Sequence, residues 1–302
     1  VCEMRIGILD AREEATETRR LTVAALAARG AEVTVLHPSD ICYRVAGDRV
    51  TAHARGLRLD TLDLCLVRST RGHVASSIDL VRFLESRQVP CVDPSPAYSS
   101  PLRKTWTLTQ SPGAIDVPQT LILESPNNLS LIDWDIFPCF VKPLAGAQGR
   151  NVAHASDFQE LELACRNLAE RGEAIIVQEL LEITGEYRVT VIGSDVAGVY
   201  RKESASGPAV TPEAIDARRF IRVTRPDLHT PALEAARRNS CAICGVDLAE
   251  VSGHLYLMEA NRCPTLTECD YRTDVMNQVA DYLWSVAQEG RLGAELWLST
   301  RA

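Results

Sequence analysis

Two stretches of the chain carry residue types that could hold a nucleotide and a metal ion. In the first, Lys142 ends an apolar run and a small, glycine-rich segment follows at residues 146–149. Glycines let backbone N–H groups approach phosphate oxygens and the lysine adds a positive charge, although such a segment alone is more typical of a plain hairpin turn. In the second, an apolar strand ends in Glu259 and Asn261. Together the two stretches predict chemistry on ATP bound with magnesium.

The predicted metal site depends on the pairing of two strands. Glu259 and Asn261 are two residues apart, so their oxygens face the same side of a strand. A three-residue turn at residues 252–254 would place Asp247 opposite Glu259. One carboxylate in a hairpin is more often only solvated, but three oxygen donors in this register are typical of Mg²⁺, which takes few protein ligands.

A third stretch, residues 175–181, is an apolar strand that turns polar at Gln178 and Glu179. Such an edge can offer adenine one backbone donor and one acceptor while aliphatic side chains enclose the ring. A core strand with a solvated end is the plain alternative.

Composition narrows the class of protein. The chain has 302 residues, of which 46% are hydrophobic and 24% charged, as in an ordinary globular protein with two to three subdomains. Its formal net charge of −8 argues against nucleic acid or an anionic membrane as the main partner. No run approaches the ~18 apolar residues that span a bilayer, and no leader is recognisable, so we expect a cytoplasmic protein.

The ten cysteines and six histidines form no recognisable metal motif. Cys241 and Cys244 make up the only Cys-x-x-Cys pair, on a segment that we predict to be helical. A structural zinc site normally needs a second such pair. We therefore expect reduced cysteines that serve packing.

Strands and helices alternate in the first third of the chain, which predicts a parallel sheet. Strands are expected at residues 4–9, 32–36, 62–67 and 89–92, with helices at 15–29 and 76–86. No Gly-x-Gly-x-x-Gly follows the first strand, so a dinucleotide site is excluded. Prolines at 94, 96 and 101 indicate a boundary. Further strands are expected near residues 119–123, 139–142, 151–153, 174–179, 186–192 and 196–202, a hairpin at 246–259, and helices at 102–110, 157–171, 231–244 and 274–288.

The joint pattern resembles the ATP-grasp ligases, most closely their RimK-type branch, which includes relatives of glutathione synthetase. The matching positions, in the family's order and spacing, are Lys104, the Lys142 glycine loop, Gln178-Glu179, Glu186-Tyr187-Arg188, Asp247 and Glu259-Ala260-Asn261-Arg262-Cys263-Pro264. The resemblance covers essentially the whole chain. It implies an α/β and α+β fold, with a Rossmann-like pre-ATP-grasp domain at residues 1–98 and a two-lobed ATP-grasp domain. Its central lobe is expected at residues 99–182 and its C-terminal lobe at 183–302.

The resemblance also implies roles for individual residues. The ATP-binding set is Lys104, Lys142, Gly146, Ala147, Gln148, Gly149, Gln178, Glu179, Leu180 and Glu186. Asp247, Glu259 and Asn261 are expected to bind two Mg²⁺ ions, which Mn²⁺ could replace. The catalytic set is Arg188, Arg201 and Lys202. The arginines expected to recognise a substrate carboxylate are Arg188, Arg218, Arg219 and Arg222, with Arg188 and Arg219 as first choices, although a solvated face is an equally good account of the last three.

The chain departs from the family's pattern at three places, and the last two lie where the acceptor is expected. Ala147 replaces a serine of the glycine loop. The family's Arg-x-Asn and Gly-Gly stretch is replaced by residues 206–208 and the arginines at 218–222. The usual Ser-Pro-Gly becomes Cys263-Pro264-Thr265. The resemblance thus predicts ATP use more firmly than it predicts the substrate.

We expect an ADP-forming carboxylate–amine ligase that joins amino acids, with glutamate or a similar amino acid as one substrate. ATP would phosphorylate a carboxylate, and an amine would attack the acyl phosphate. The expected partners are small-molecule amino acids, with no nucleic acid and no membrane, and a homodimer or a homotetramer is left open. Two alternatives stay open, namely an enzyme that adds amino acids to a protein tail or carrier protein, and a nucleotide-binding regulator without turnover.

Overall fold

The computed structural model describes residues 4–98, 115–131, 136–144, 151–203, 219–267 and 272–292. Its strands are β1 (Met4–Leu9), β2 (Ala31–Leu36), β3 (Cys42–Ala46), β4 (Arg49–Ala54), β5 (Leu57–Arg58), β6 (Leu64–Val67), β7 (Cys91–Val92), β8 (Thr120–Leu123), β9 (Cys139–Pro143), β10 (Ala153–Ala155), β11 (Ile175–Glu179), β12 (Gly185–Ile192), β13 (Asp195–Glu203), β14 (Arg219–Arg222), β15 (Ile243–Val251) and β16 (His254–Asn261). Its α-helices are α1 (Glu17–Ala27), α2 (Val74–Ser86), α3 (Phe158–Ala169), α4 (His229–Arg238) and α5 (Arg272–Leu292). Short 3₁₀ turns lie at Pro38–Asp40, Leu59–Thr61, Ser95–Tyr98, Pro126–Leu131 and Pro226–Leu228.

The predicted parallel sheet is confirmed in residues 4–98, which we call the N-terminal unit. Its strand order is β2-β1-β6-β7, and all neighbours are parallel. Ile6, Ile8 and Leu64 are fully buried because α1 and α5 cover one face of the sheet and α2 covers the other. Strands buried on both faces read as continuous apolar runs, which is why the sequence revealed them.

A second, three-stranded antiparallel sheet of β3, β4 and β5 in the same unit was missed by the sequence analysis. Ala46 pairs with Arg49, so the turn has only two residues, and Gly47 takes φ +62°. A Gly-Asp pair between two β-rich runs is a recognised hairpin signal. The signal was therefore present, at residues 45–50.

The central lobe is an antiparallel sheet with the order β10-β9-β11-β8. One face packs on α3 through a core that includes Cys139, Val141, Leu161, Cys165, Ile175 and Val177. Burial raises the pKa of the Cys139 thiol to about 11 and that of Cys165 to about 12, so both stay protonated at neutral pH. The prediction that cysteines serve packing is confirmed for these two, which are free thiols.

The C-terminal lobe is a five-stranded antiparallel sheet with the order β14-β13-β12-β15-β16, and α4 covers one face. The prediction of a helix as far as Cys244 was wrong. The helix ends at Arg238 because Ser240 adopts φ +53° and the Cys241 N–H bonds back to the Ala236 carbonyl at 3.0 Å, the pattern of a Schellman stop. Cys244 therefore lies within β15, and both cysteines are buried free thiols.

Helix α5 joins the first and last parts of the chain into one core. Val279 and Leu283 pack in the same buried cluster as Ile6 and Leu26 of the N-terminal unit and Ile243 of β15. Where the structure describes the chain, no helix is long and apolar enough to cross a bilayer.

Asp93 lies where the N-terminal unit contacts the start of β15. Its carboxylate accepts the Ala242 N–H at 2.6 Å and is 2% exposed. Burial raises the pKa of Asp93 to about 6, although the charges of Arg262 and Arg68 and the backbone N–H groups of Ala242 and Ile243 pull it down. Protonated Asp93 therefore stabilises the folded state more than ionised Asp93 does.

We expect Asp93→Asn to change how stability depends on pH. A carboxyl whose folded pKa lies above its unfolded value of 3.8 loses stabilisation as pH rises through about 6. The stability of the variant relative to the native chain should thus increase between pH 4 and pH 7, by about 2 kcal/mol. Chemical denaturation of both proteins at three pH values checks this. A difference in unfolding free energy that does not vary with pH would show that burial does not raise the pKa of Asp93.

Candidate active site

One face of the C-terminal sheet carries a row of polar side chains that crosses all five strands. Arg222 pairs with Tyr200, Tyr200 with Arg188, Arg188 with Asp247, and Asp247 with Glu259. Residues directly opposite each other project from the same face, so these five side chains lie side by side. The row changes from basic at β14 to acidic at β16, and we call it the polar row.

Asp247 is the most enclosed charged member of the polar row, at 6% exposure. Arg188 Nε donates to its Oδ1 and Arg188 Nη2 to its Oδ2 at 2.9 Å, while Lys202 Nζ lies 2.8 Å from Oδ2. Burial alone would raise the pKa of Asp247, but the two cations outweigh it and hold that pKa well below its usual range. Asp247 is therefore ionised at any pH near neutrality.

Lys202 connects this pair to the neighbouring carboxylate of Glu186. Its Nζ donates to Glu186 Oε1 at 2.6 Å, and its side chain is only 3% exposed. Glu186 and Arg188 are two residues apart on β12 and share its face. Two carboxylates and two cations thus form one connected network, in which Lys202 touches both acids.

The pairing of Asp247 with Glu259 was predicted correctly, but the predicted turn was wrong. The β15–β16 hairpin turns in two residues, Ser252 at φ +50° and Gly253 at φ +86°, and so pairs Val251 with His254. That register alone would not place Glu259 opposite Asp247. A bulge between Asp247 and Leu248 shifts the register by one residue and restores the predicted pair.

The three predicted metal ligands can accept further bonds. Asp247 Oδ1 accepts a single hydrogen bond, from Arg188, and Asn261 Oδ1 accepts the Cys263 N–H at 3.0 Å, so each keeps a lone pair. The Glu259 carboxylate makes no hydrogen bond or ion pair with any other described residue. Oxygen donors of this kind suit Mg²⁺. Among the described residues no group of three or more His, Cys, Asp or Glu side chains is placed to hold a metal ion, so the predicted site depends on the Asn261 amide oxygen beside the two carboxylates.

The predicted arginines divide between the two faces of the sheet. Arg222 and Arg188 belong to the polar row. Arg201 follows Tyr200 directly and pairs with Tyr187, whose ring lies in the core beneath α4, so Arg201 faces the other side. Arg219 is three residues before Arg222, an odd spacing that places it on that other side as well.

Two aromatic residues near these arginines were not singled out by the sequence analysis. Tyr200 lies in the polar row, and the Phe220 ring centroid is 5.8 Å from the guanidinium carbon of Arg188. The signal for Tyr200 was its position two residues before Lys202, on the same face of a strand.

On the central lobe, Lys142 and Gln178 meet on the face of the sheet opposite α3. Lys142 Nζ donates to Gln178 Oε1 at 2.6 Å, and Gln178 Nε2 donates to Thr120 Oγ1 at 2.9 Å. The polar end of the predicted adenine strand is therefore not simply solvated, since Gln178 is 3% exposed.

The end of that strand is tied to its neighbours. The Glu179 N–H bonds to the Gln119 carbonyl at 3.0 Å and the Leu180 N–H to the Pro138 carbonyl at 3.1 Å. Glu179 Oε1 also accepts the Gln119 N–H at 2.6 Å. Any backbone donor to adenine must then come from another residue. The remaining predicted residues lie outside the described part of the chain, namely Lys104, Gly146, Ala147, Gln148, Gly149 and Arg218.

Comparison with known proteins gives the class. The model of the RimK-like ATP-grasp domain matches residues 102–283, and that of the RimK PreATP-grasp domain matches residues 4–98. A "Probable alpha-L-glutamate ligase" of Syntrophotalea carbinolica is 26% identical over 296 residues, covering 95% of this chain and 98% of that protein. A protein of the same description from Maridesulfovibrio salexigens is 28% identical over 306 residues, covering 95% and 98%.

Solved structures agree on the fold. The RimK domain ATP-grasp protein of Sphaerobacter thermophilus superposes with a TM-score of 0.68 at 19% identity, covering 92% of this chain and 99% of that chain. The ATP-grasp ligase PsnB bound to a minimal precursor superposes at 0.71 with 16% identity, covering 94% and 99%. The chain therefore belongs to the RimK-like ATP-grasp family. It is an ADP-forming ligase of carbon–nitrogen bonds, from a class that uses ATP with magnesium.

Proposed function

We propose that this ligase joins the carboxylate of one amino acid to the amine of another, by way of an acyl phosphate. The observation that supports this best is the polar row, with its acidic end at Asp247 and Glu259 and its basic end at Arg188 and Arg222. The proposed cation site and anion site lie on the same face of one sheet. This arrangement fits a reaction between a metal-bound triphosphate and a carboxylate.

In this proposal Asp247, Glu259 and Asn261 bind two Mg²⁺ ions, which Mn²⁺ could replace. The metal would neutralise phosphate charge and polarise the transferring phosphoryl group. Lys142 and Gln178 line the nucleotide side. Lys202 places a buried positive charge between two carboxylates and so keeps the acidic end of the row compatible with an incoming anion.

Glutamate is the amino acid we propose for one substrate, since the relatives over nearly the whole chain are described as alpha-L-glutamate ligases. The second substrate is left to experiment because the departures at residues 206–208, 218–222 and 263–265 concern the expected acceptor region. Among the residues that the structure describes, we assign binding of the substrate carboxylate to Arg188 and Arg222.

The test is nucleotide binding followed by turnover. A non-hydrolysable ATP analogue at about 100 times its Kd, with Mg²⁺, should raise Tm by about 5 °C, and a GTP analogue should raise it less. ADP release should then appear with glutamate and one member of an amino-acid panel, with the product identified by mass spectrometry. Release only with a peptide or protein acceptor would favour the tail-modifying alternative. No Tm shift with either nucleotide would contradict the proposed ATP site.

Replacing Arg188 or Arg222 with alanine is expected to weaken binding of the amino-acid substrate. A guanidinium that holds a carboxylate through charge-assisted hydrogen bonds contributes roughly 1.5–3 kcal/mol, so KM for that substrate should rise about 10- to 150-fold. KM for ATP should change little in Arg222→Ala, since Lys142 remains and the Arg188–Asp247 pair is intact. The matched control is Arg219→Ala, on the same strand and the opposite face. A raised KM for ATP together with an unchanged KM for the amino acid, measured by steady-state kinetics, would assign these arginines to nucleotide binding instead.

A further inference from the structure

Arg262 ties the end of the predicted metal-binding strand to the N-terminal unit. It directly follows Asn261, the last residue of β16. Its Nη1 donates to the Arg68 carbonyl and its Nη2 to Thr70 Oγ1, both at 3.1 Å. Its guanidinium carbon also lies 4.3 Å from the ring centroid of Tyr98, within the range of a cation–π contact.

Two further contacts anchor the same end of the β15–β16 hairpin. Arg68, itself 5% exposed, donates from Nη2 to the Pro264 carbonyl at 2.8 Å. Asp93 accepts the N–H of Ala242, the residue just before β15. The strands that carry Asp247 and Glu259 are thus held at their open end by three side chains, each of which joins them to the N-terminal unit.

The geometry of Asn261 depends on this anchored segment. Its Oδ1 accepts the N–H of Cys263, which lies between the held residues Arg262 and Pro264. Any shift of residues 262–264 would therefore move the Asn261 side chain as well as its backbone. A residue that orients a metal ligand typically changes metal affinity 10- to 100-fold when it is replaced.

We propose that Arg262 is a positioning residue, which orients Asn261 towards the bound cation by fixing the end of β16 against the N-terminal unit. This inference rests on the proposed function, in which Asn261 binds magnesium. It assigns to the N-terminal unit a part in metal binding, although that unit supplies none of the proposed ligands.

The experiment measures the rise in Tm produced by saturating ADP as Mg²⁺ is varied, without any turnover. In Arg262→Gln the Mg²⁺ concentration at half-maximal rise should increase about 10-fold, while ADP binding without Mg²⁺ should change little. Arg262→Lys keeps the charge but replaces the planar fork by a single donor nitrogen, and should recover part of the shift.

Arg225→Gln is the matched control. Arg225 likewise lies over a tyrosine, 4.8 Å from the ring centroid of Tyr187, and donates to Tyr187 Oη at 2.7 Å and to Glu250 at 3.0 Å. These contacts are in the same sheet but at the other end of β15. The control should lower Tm and leave the Mg²⁺ midpoint unchanged.

A loss of Tm in Arg262→Gln with an unchanged Mg²⁺ midpoint would overturn the inference and leave Arg262 a purely structural residue. If that variant does not fold, Thr70→Val removes one of its hydrogen bonds at constant volume and should shift the midpoint about threefold in the same direction. No shift in Thr70→Val would then overturn it. If the native chain itself shows no Mg²⁺-dependent rise, the proposed metal site fails together with this inference, a result distinct from a failure of Arg262 alone.

Discussion

Replacing Glu259 with glutamine is expected to lower the rate of ADP formation about 1000-fold. The substitution keeps the size of the side chain but removes a negative charge from the proposed metal site, and metal stabilisation of transferring phosphate contributes several kcal/mol. Tm should stay the same or rise slightly. Glu259 lies directly opposite Asp247, and like charges at paired positions destabilise a sheet.

The control is Glu250→Gln, in the same hairpin. Glu250 is a carboxylate on β15 that pairs with Arg225 at 3.0 Å instead of with the polar row. It should change ADP formation by less than about twofold and lower Tm slightly. Near-native turnover in Glu259→Gln, measured with a coupled ADP assay, would remove Glu259 from the metal site.

Lys202→Met is expected to have the largest effect on stability. The methionine fills a similar volume, but the two carboxylates that contact Lys202 then lose one of their cations in a largely buried place. Removing one partner from a buried ion pair usually costs about 3–5 kcal/mol, because the remaining charge is left uncompensated. Asp247 retains Arg188, so we expect the lower part of that range. Urea denaturation at pH 7 measures it.

An exposed ion pair provides the comparison. Arg166 and Glu162 lie 2.9 Å apart on the surface of α3, with side chains 63% and 43% exposed. Arg166→Met should cost about 0.5 kcal/mol or less. Equal losses in the two variants would mean that Lys202 compensates no buried charge, and the network around Asp247 would then need another explanation.

The elements that the sequence predicted well are those with continuous apolar strands. The N-terminal sheet is buried on both faces, so its strands could be recognised one at a time. The end of α4 was harder to predict, because it depends on the left-handed conformation of Ser240, a residue with no strong preference for it. Arg237 and Arg238 in the last turn, followed by Asn239, were the available signals of a helix end.

The candidate site was predictable in its residue types and only partly in its contacts. Arg188 pairs with Asp247 because β12 and β15 are neighbours in the sheet, and those strands are separated in sequence by β13, β14 and α4. Sequence spacing holds no information on that pairing. The faces of Arg219 and Arg222 were accessible in principle, since parity along a strand decides them, but only once the limits of β14 are known.

One signal in the sequence remained unused. Lysine occurs three times among the 32 basic residues, at 104, 142 and 202. Lys104 and Lys202 were singled out from family position and Lys142 from the glycine-rich segment after it, and the two that the structure describes, Lys142 and Lys202, are hydrogen-bonded on polar faces of their lobes. In a chain that otherwise uses arginine, such scarcity itself points to positions where a compact ammonium is required.

The packing of α5 against the N-terminal unit also bears on how the protein is made. Thr22 contacts Met276 in the core and Arg29 pairs with Asp281 at the surface, so the two contacts join partners more than 250 positions apart in the chain. During synthesis the N-terminal unit emerges long before α5, and until then one face of the first sheet is covered by α1 but not by α5. Nascent chains in this state expose apolar surface, which makes them clients for chaperones. Helix α5, the last helix that the structure describes, thus completes the core of the N-terminal unit.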